Sequence, residues 1–145
     1  MAISSAICNS FKQELLVGTH NFTASSGDTF KIALYTSSAS LGASTTAYST
    51  SNEISNTSGS AYSAGGATLT SVTPVLSGST AVCDFNDVSF TSASFTANGC
   101  LIYNDDQSDK AVAVIAFGGD KTVSSGTFTI QFPAADATNA IIRIA

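Results

Sequence analysis

The stretch NGCLIYNDDQSDKAVAVIAFGG, residues 98–119, decides the fold class. It holds two apolar runs, Cys100–Tyr103 and Ala111–Phe117, separated by the polar segment Asn104 to Lys110. Runs apolar at every position suit strands covered on both faces, as in the middle of a sandwich or barrel. A buried helix is the competing reading. Both runs are short and carry Val, Ile and Tyr, which favours strands joined by an acidic turn.

Outward from this hairpin, the only good helix candidate lies at residues 5–17. Ile7, Phe11 and Leu15 recur every four residues, Cys8 and Leu16 widen the stripe, Ser4 or Ser5 stands ready as a cap, and Gly18 follows as a stop. Such a helix is expected to lie on the core as a lid. Residues 29–36, TFKIALYT, alternate, with Phe30, Ile32 and Leu34 on a buried side. Residues 37–66 then form a long Ser/Thr/Gly-rich arm punctuated by Leu41, Tyr48, Ile54 and Tyr62. It is longer than a quiet connection, so it is ordered either on the body or against another subunit. Gly65 and Gly66 require a turn or a close backbone approach.

Strand signals resume over residues 67–145. Pro74 marks an edge or a bulge, and the phase shift between Phe90 and Phe95 places a bulge or break near Ser92. Turns are expected at Gly118–Lys121 and Ser124–Gly126, with Phe128, Ile130 and Phe132 pointing inward beyond them. The whole chain, residues 1–145, therefore reads as one mainly β domain. The expected architecture is a β-sandwich or jelly-roll-like body of about 7–9 antiparallel strands with one N-terminal α-helix.

Only 10% of the chain is charged, with a net charge of −5 and five scattered basic residues. That pattern argues against direct nucleic-acid binding. No apolar run reaches the roughly 18 residues of a membrane span, and the first residues do not read as a secretory signal. A surface of Ser, Thr and Asn with little charge inclines toward a protein covered by neighbours in a permanent assembly.

Chemistry-bearing patterns are sparse. His20 is the sole histidine, and beside a helix end it reads as a surface or capping residue. Asp105, Asp106 and Asp109 form the densest carboxylate cluster, a weak calcium candidate without the ligand spacing of known loops, and they read first as a solvated turn. Three cysteines without C-x-x-C spacing read as buried free thiols, although Cys83 and Cys100 could be cross-strand neighbours. Tyr35, Tyr48, Tyr62 and Tyr103 could line a sugar-binding surface, but with no tryptophan in the chain, core or interface packing is the better reading. No catalytic, cofactor or metal site is expected.

Several strings, taken together and in order, carry a family resemblance: AISSAICNSFKQELL, TFKIALYTSSASLGASTTAYSTSNE, YSAGG, ANGCLIYN, AVAVIAFGGD and NAIIRIA. They resemble a family of small β-rich virion proteins of tailed bacteriophages and prophages, over nearly the whole chain. The resemblance implies a virion component without a catalytic motif, assembled in the host bacterial cytoplasm. A capsid decoration (cement) protein is the expected role, bound to the major capsid protein and to copies of itself in a symmetric homo-oligomer. The alternative is a tail or fibre component that meets a host-surface receptor. Subunit contacts are expected at Ile7, Phe11 and Leu15 of the leading helix and at Leu41, Tyr48, Ile54 and Tyr62 of the arm.

Overall fold

The central hairpin is far longer than its apolar runs. In the computed structural model, which describes residues 2–54 and 62–145, the first arm spans Val88–Asn104 and the second Lys110–Ile130. Six other strands and one helix surround it. In chain order the elements are β1 (Ala6–Ile7), α1 (Asn9–Leu16), β2 (Phe30–Tyr35), β3 (Ala67–Thr68), β4 (Ser71–Ser77), β5 (Thr80–Phe85), β6 and β7 (the hairpin), and β8 (Ile142–Ile144). They form two antiparallel sheets, five strands in the order β1-β7-β6-β2-β3 and three in the order β4-β5-β8. The protein is thus mainly β, with one short N-terminal helix. No described helix is long and apolar enough to cross a membrane.

Strands β2, β6 and β7 supply the buried centre because their side chains are apolar on both faces where the three run together. Ile32 pairs Ile102, which in turn pairs Ala113. Ile32, Ala33, Leu34, Leu101 and Ile102 have no exposed surface. The one-sided burial expected for residues 29–36 is corrected here: Ala33 and Tyr35 are as buried as their neighbours, because the arm covers the second face. A stair of aromatic rings links the two sheets. Phe22 stacks on Phe30 (centroids 4.3 Å), Phe30 meets Phe85 of β5 at 5.7 Å, and Phe85 meets Phe132 at 6.0 Å.

The leading helix is shorter than expected. It begins at Asn9, with Cys8 as an N-cap that makes no side-chain capping bond, so neither Ser4 nor Ser5 caps it. Ile7 lies in β1 instead, paired with Ala113, because the hydrogen bonds of the open β7 edge outcompete one more helical turn. The stop at Gly18 is as read: Gly18 takes a positive φ of 76°, its N–H donates to Leu15 O, and the Thr19 N–H donates to Glu14 O. Phe11 is fully buried, and covering a ring of that size stabilises the docked helix by about 2–3 kcal/mol. Leu16 is 89% exposed and does not join the stripe.

The described parts of the arm, residues 37–54 and 62–66, are ordered on the body. Ile54 and Tyr62 are buried, Ala47 bridges to Lys110, and Glu53 bridges to Tyr35. Residues 55–61 of the expected arm lie outside the described residues. Gly66 makes the close approach read from the sequence: with φ of 82°, a Cβ on it would sit 1.8 Å from Ile32 O.

Beyond the main sheet, β6 and β7 continue as a two-stranded ribbon. The turns expected at Gly118–Lys121 and Ser124–Gly126 are absent, and β7 runs through both as irregularities of one strand. Four residues, Phe117 to Asp120, stand opposite Asn98 alone, between the pairs Gly99↔Ala116 and Ala97↔Lys121. The bulge near Ser92 is present, with Ser92 at φ 50°. Pro74 sits on edge strand β4, where the register with β5 shifts between Val72 and Val75.

Candidate interaction surface

Among the described residues, the polar clusters around Glu53, His20 and the acidic turn are each consumed by internal structure. Glu53 gathers the arm. Its Oε1 accepts from the Tyr62 hydroxyl (2.5 Å) and the Gly65 N–H (2.8 Å), and its Oε2 accepts from the Tyr48 hydroxyl (2.6 Å). The Tyr62 oxygen also accepts from the Leu34 N–H at 2.9 Å. Tyr103 donates to Gly65 O, Tyr35 donates to Ser49 O, and the Tyr48 ring stacks on Tyr103 at 4.6 Å. All four tyrosines are clamps on the arm, which leaves none facing out as a sugar platform. Burial and then the nearby Glu53 push the Tyr48 and Tyr62 hydroxyls well above the ordinary phenol range, so they stay protonated donors.

His20 is buried, not superficial, with a side chain 0% exposed. Asn104 Nδ2 donates to His20 Nδ1 (2.9 Å) and to Asp28 Oδ2 (2.8 Å), while the Asp106 N–H donates to Asn104 Oδ1 (3.1 Å). The other ring nitrogen lies 3.3 Å from Glu14 Oε1, and Lys110 Nζ lies 3.1 Å from Glu14 Oε2. This network ties α1 to both ends of the β6–β7 turn. For Asp28, burial acts to raise the carboxyl, but hydrogen bonds from Asn104, the Asn21 N–H and Gln107 outweigh it and hold the group below the ordinary carboxylate range.

The acidic turn is occupied in the same manner. Asp106 Oδ2 accepts from the Thr29 N–H (2.6 Å), and Asp105 pairs with Lys31 at 3.3 Å. Asp109 takes a positive φ of 55° in the turn and receives Tyr48 N–H on its carbonyl. Among the described residues no group of three His, Cys, Asp or Glu side chains could hold a metal ion. Cys83 and Cys100 lie in different sheets and are not cross-strand neighbours; all three cysteines are buried free thiols. Burial raises Cys8 to about 11 and both Cys83 and Cys100 to about 12, which leaves them protonated and unreactive at neutral pH.

The feature that remains open is a groove of about 790 Å³ along the outer edge of β7. Its origin is the four-residue excursion at Phe117–Asp120. Phe117 and Phe128 are eleven positions apart on one strand, which would separate them by about 36 Å if it ran straight. Their ring centroids are 6.0 Å apart. The strand therefore bends sharply, at Gly118 and Gly119 with φ of 77° and 149°. Ile115, Phe117, Phe128, Ile130 and Phe132 line the inside of the bend, with Ile7 on one flank and Ile141 on the other. These side chains are half-buried. Polar Ser5, Thr129 and Gln131 and the single charged residue Lys121 complete the wall. Strand β1 covers the β7 edge only at Ala113 and Val114, and the Ser5 hydroxyl then takes the Ala116 N–H at 2.9 Å in place of a backbone carbonyl. From Phe117 to Ile130 the outer edge of β7 has no strand neighbour among the described residues.

The contact residues read from the sequence distribute unevenly over this molecule. Ile7 lines the groove; Phe11, Ile54 and Tyr62 are in the core; Leu15, Leu41 and Tyr48 pack half-buried against it. Leu41 joins the N-terminal segment through a parallel bridge to Ile3. The groove itself was hidden from sequence reasoning. Phe128, Ile130 and Phe132 were legible as one apolar face, but a face says nothing of what it meets until the strand is seen to bend.

Comparison with known protein families, with curated proteins and with solved structures finds no match for this chain.

Proposed function

We propose that this chain is a structural protein of a tailed-bacteriophage virion, a capsid decoration protein that binds the assembled head and reinforces it. The observation that carries the reading is the open apolar groove beside a strand edge unpaired among the described residues, on a body whose described polar clusters are tied into its own fold. An edge strand with free N–H and C=O groups is a template for another chain, and natural folds guard such edges unless they are used. The sequence strings that resemble small virion proteins, and the 10% charge content, support the same reading. Partners under this proposal are the major capsid protein and further copies of the chain.

Quantitative protein gels of purified virions, before and after tails are sheared away, test it. A decoration protein stays with DNA-filled heads, at a copy number within a small factor of the major capsid protein. A chain that travels with the tails in low copy is instead a tail or fibre component, and the head reading falls.

A further inference from the structure

We infer that the β7 groove receives an extended apolar segment of a partner polypeptide that carries a carboxylate, and that Lys121 pairs with that carboxylate. The inference rests on reading the groove as a docking surface, and it adds the chemistry of what docks. Charge supports it first. The chain is acidic overall, yet none of its ten Asp and Glu residues falls within 88–97 or 121–130, the two strands of the ribbon. Lys121 is exposed on the groove wall and forms no salt bridge with a described carboxylate. The neighbouring acids are engaged elsewhere, Asp120 with the Asn98 amide (2.8 Å) and Asp87 with the Phe132 N–H (2.9 Å), so Lys121 is the one charged side chain in the lining.

The form of the wall supports a polypeptide over a fatty acyl chain. The edge of β7 beyond Ala116 has no strand partner among the described residues, and Gln131 adds an amide to the lining; the Ser5 and Thr129 hydroxyls are already engaged, with the Ala116 N–H and with Ser89. A peptide backbone can use such hydrogen-bonding groups; a hydrocarbon tail would leave them unsatisfied. The groove is also open along one side, which suits an extended segment laid along a strand. Apolar side chains of the segment would sit against Phe117, Phe128 and Ile130, and its carboxylate beside Lys121.

The test uses the full chain, immobilised, and a random peptide library of about eight residues per member. Expected is enrichment of sequences that combine aromatic or β-branched residues with Asp or Glu, the acids enriched about tenfold over the unselected pool. On the Lys121→Glu variant, whose exposed position leaves folding intact as checked by circular dichroism, the enrichment should turn toward Lys and Arg. Absence of enrichment overturns the inference. So does the same acidic enrichment on Lys121→Glu, or displacement of selected peptides by sodium oleate, which would assign the groove to a lipid-like amphiphile. Loss of monomer in sedimentation of the peptide-free chain, reversed by Lys121→Glu, would overturn it in favour of a second copy. None of these results alters the head-or-tail count on virions, so either conclusion can fail alone.

Discussion

Asn104 Nδ2 lies 2.9 Å from His20 Nδ1, and this one contact defines the proton arrangement of the buried imidazole. The amide cannot be turned over, because Nδ2 also faces the Asp28 carboxylate and Oδ1 faces the Asp106 N–H. An amide nitrogen only donates, so His20 Nδ1 is bare and the ring proton sits on Nε2, directed at Glu14. Long-range ¹⁵N–¹H correlation spectra at about pH 8 should show the Nε2–H tautomer. A proton on Nδ1 would refute this network.

Changing Asn104 to Asp keeps the shape and reverses the logic. It places a second carboxylate beside Asp28 and removes the donor to His20. The expected loss at neutral pH is roughly 3 kcal/mol in urea unfolding, smaller in acid where one carboxylate takes up a proton. Equal stability of Asn104→Asp and wild type at neutral pH would show that the amide is not structural.

Glu53 holds three donors from the arm, so Glu53→Ala leaves the Tyr48 and Tyr62 hydroxyls and the Gly65 N–H without their acceptor. A destabilisation of roughly 3 kcal/mol is expected, with Glu53→Gln losing less because one acceptor oxygen remains. Proteolysis should locate the damage: in Glu53→Ala the first cleavages move into residues 37–66. Unchanged cleavage sites would mean the arm is held by packing alone.

Two carboxylates are held below the ordinary carboxylate range. Asp28 is held low as described above, and Asp136 is lowered to about 2 by bonds from the Thr138 N–H and hydroxyl and from Asn139. A carboxyl with a lowered folded value contributes its stability in full above the unfolded value, near pH 4, and loses it as pH falls through the folded value. Stability should therefore decline below about pH 4. In Asp28→Asn part of that decline should be missing, as read by thermal melts from neutral pH to about pH 2. An identical slope in the variant would count against the assignment.

Gly66 admits no side chain. A methyl group there would overlap Ile32 O at 1.8 Å and would require a positive φ of 82°. Gly66→Ala should cost more than about 4 kcal/mol or abolish folding, whereas Gly78→Ala, with φ of 63° and open space, should cost only about 1 kcal/mol. Comparable midpoints for the two variants would contradict the close approach.

The local chemistry of the chain already determined the class of fold. Short apolar runs rich in Val, Ile and Tyr favoured strands buried on both sides over a buried helix, Gly18 marked a helix stop, and Gly65 and Gly66 called for a turn or a close backbone approach. Those are constraints within a few residues, and they hold whatever surrounds them. The site was decided elsewhere. His20, a lone histidine by sequence, is buried among Phe11, Phe22 and Phe30, with Asn104, 84 residues away, and Glu14 at its two ring nitrogens. The arm, read as ordered either on the body or against another subunit, is fastened to the body in its described parts, 37–54 and 62–66, by tyrosines from β2, β6 and the arm itself. The groove exists because β7 bends at two glycines that read locally as a turn. Side-chain periodicity records which residues share a face of a strand; it holds no record of strand curvature or of long-range polar pairing. Those arise from packing across the whole molecule, and only the tertiary structure contains them.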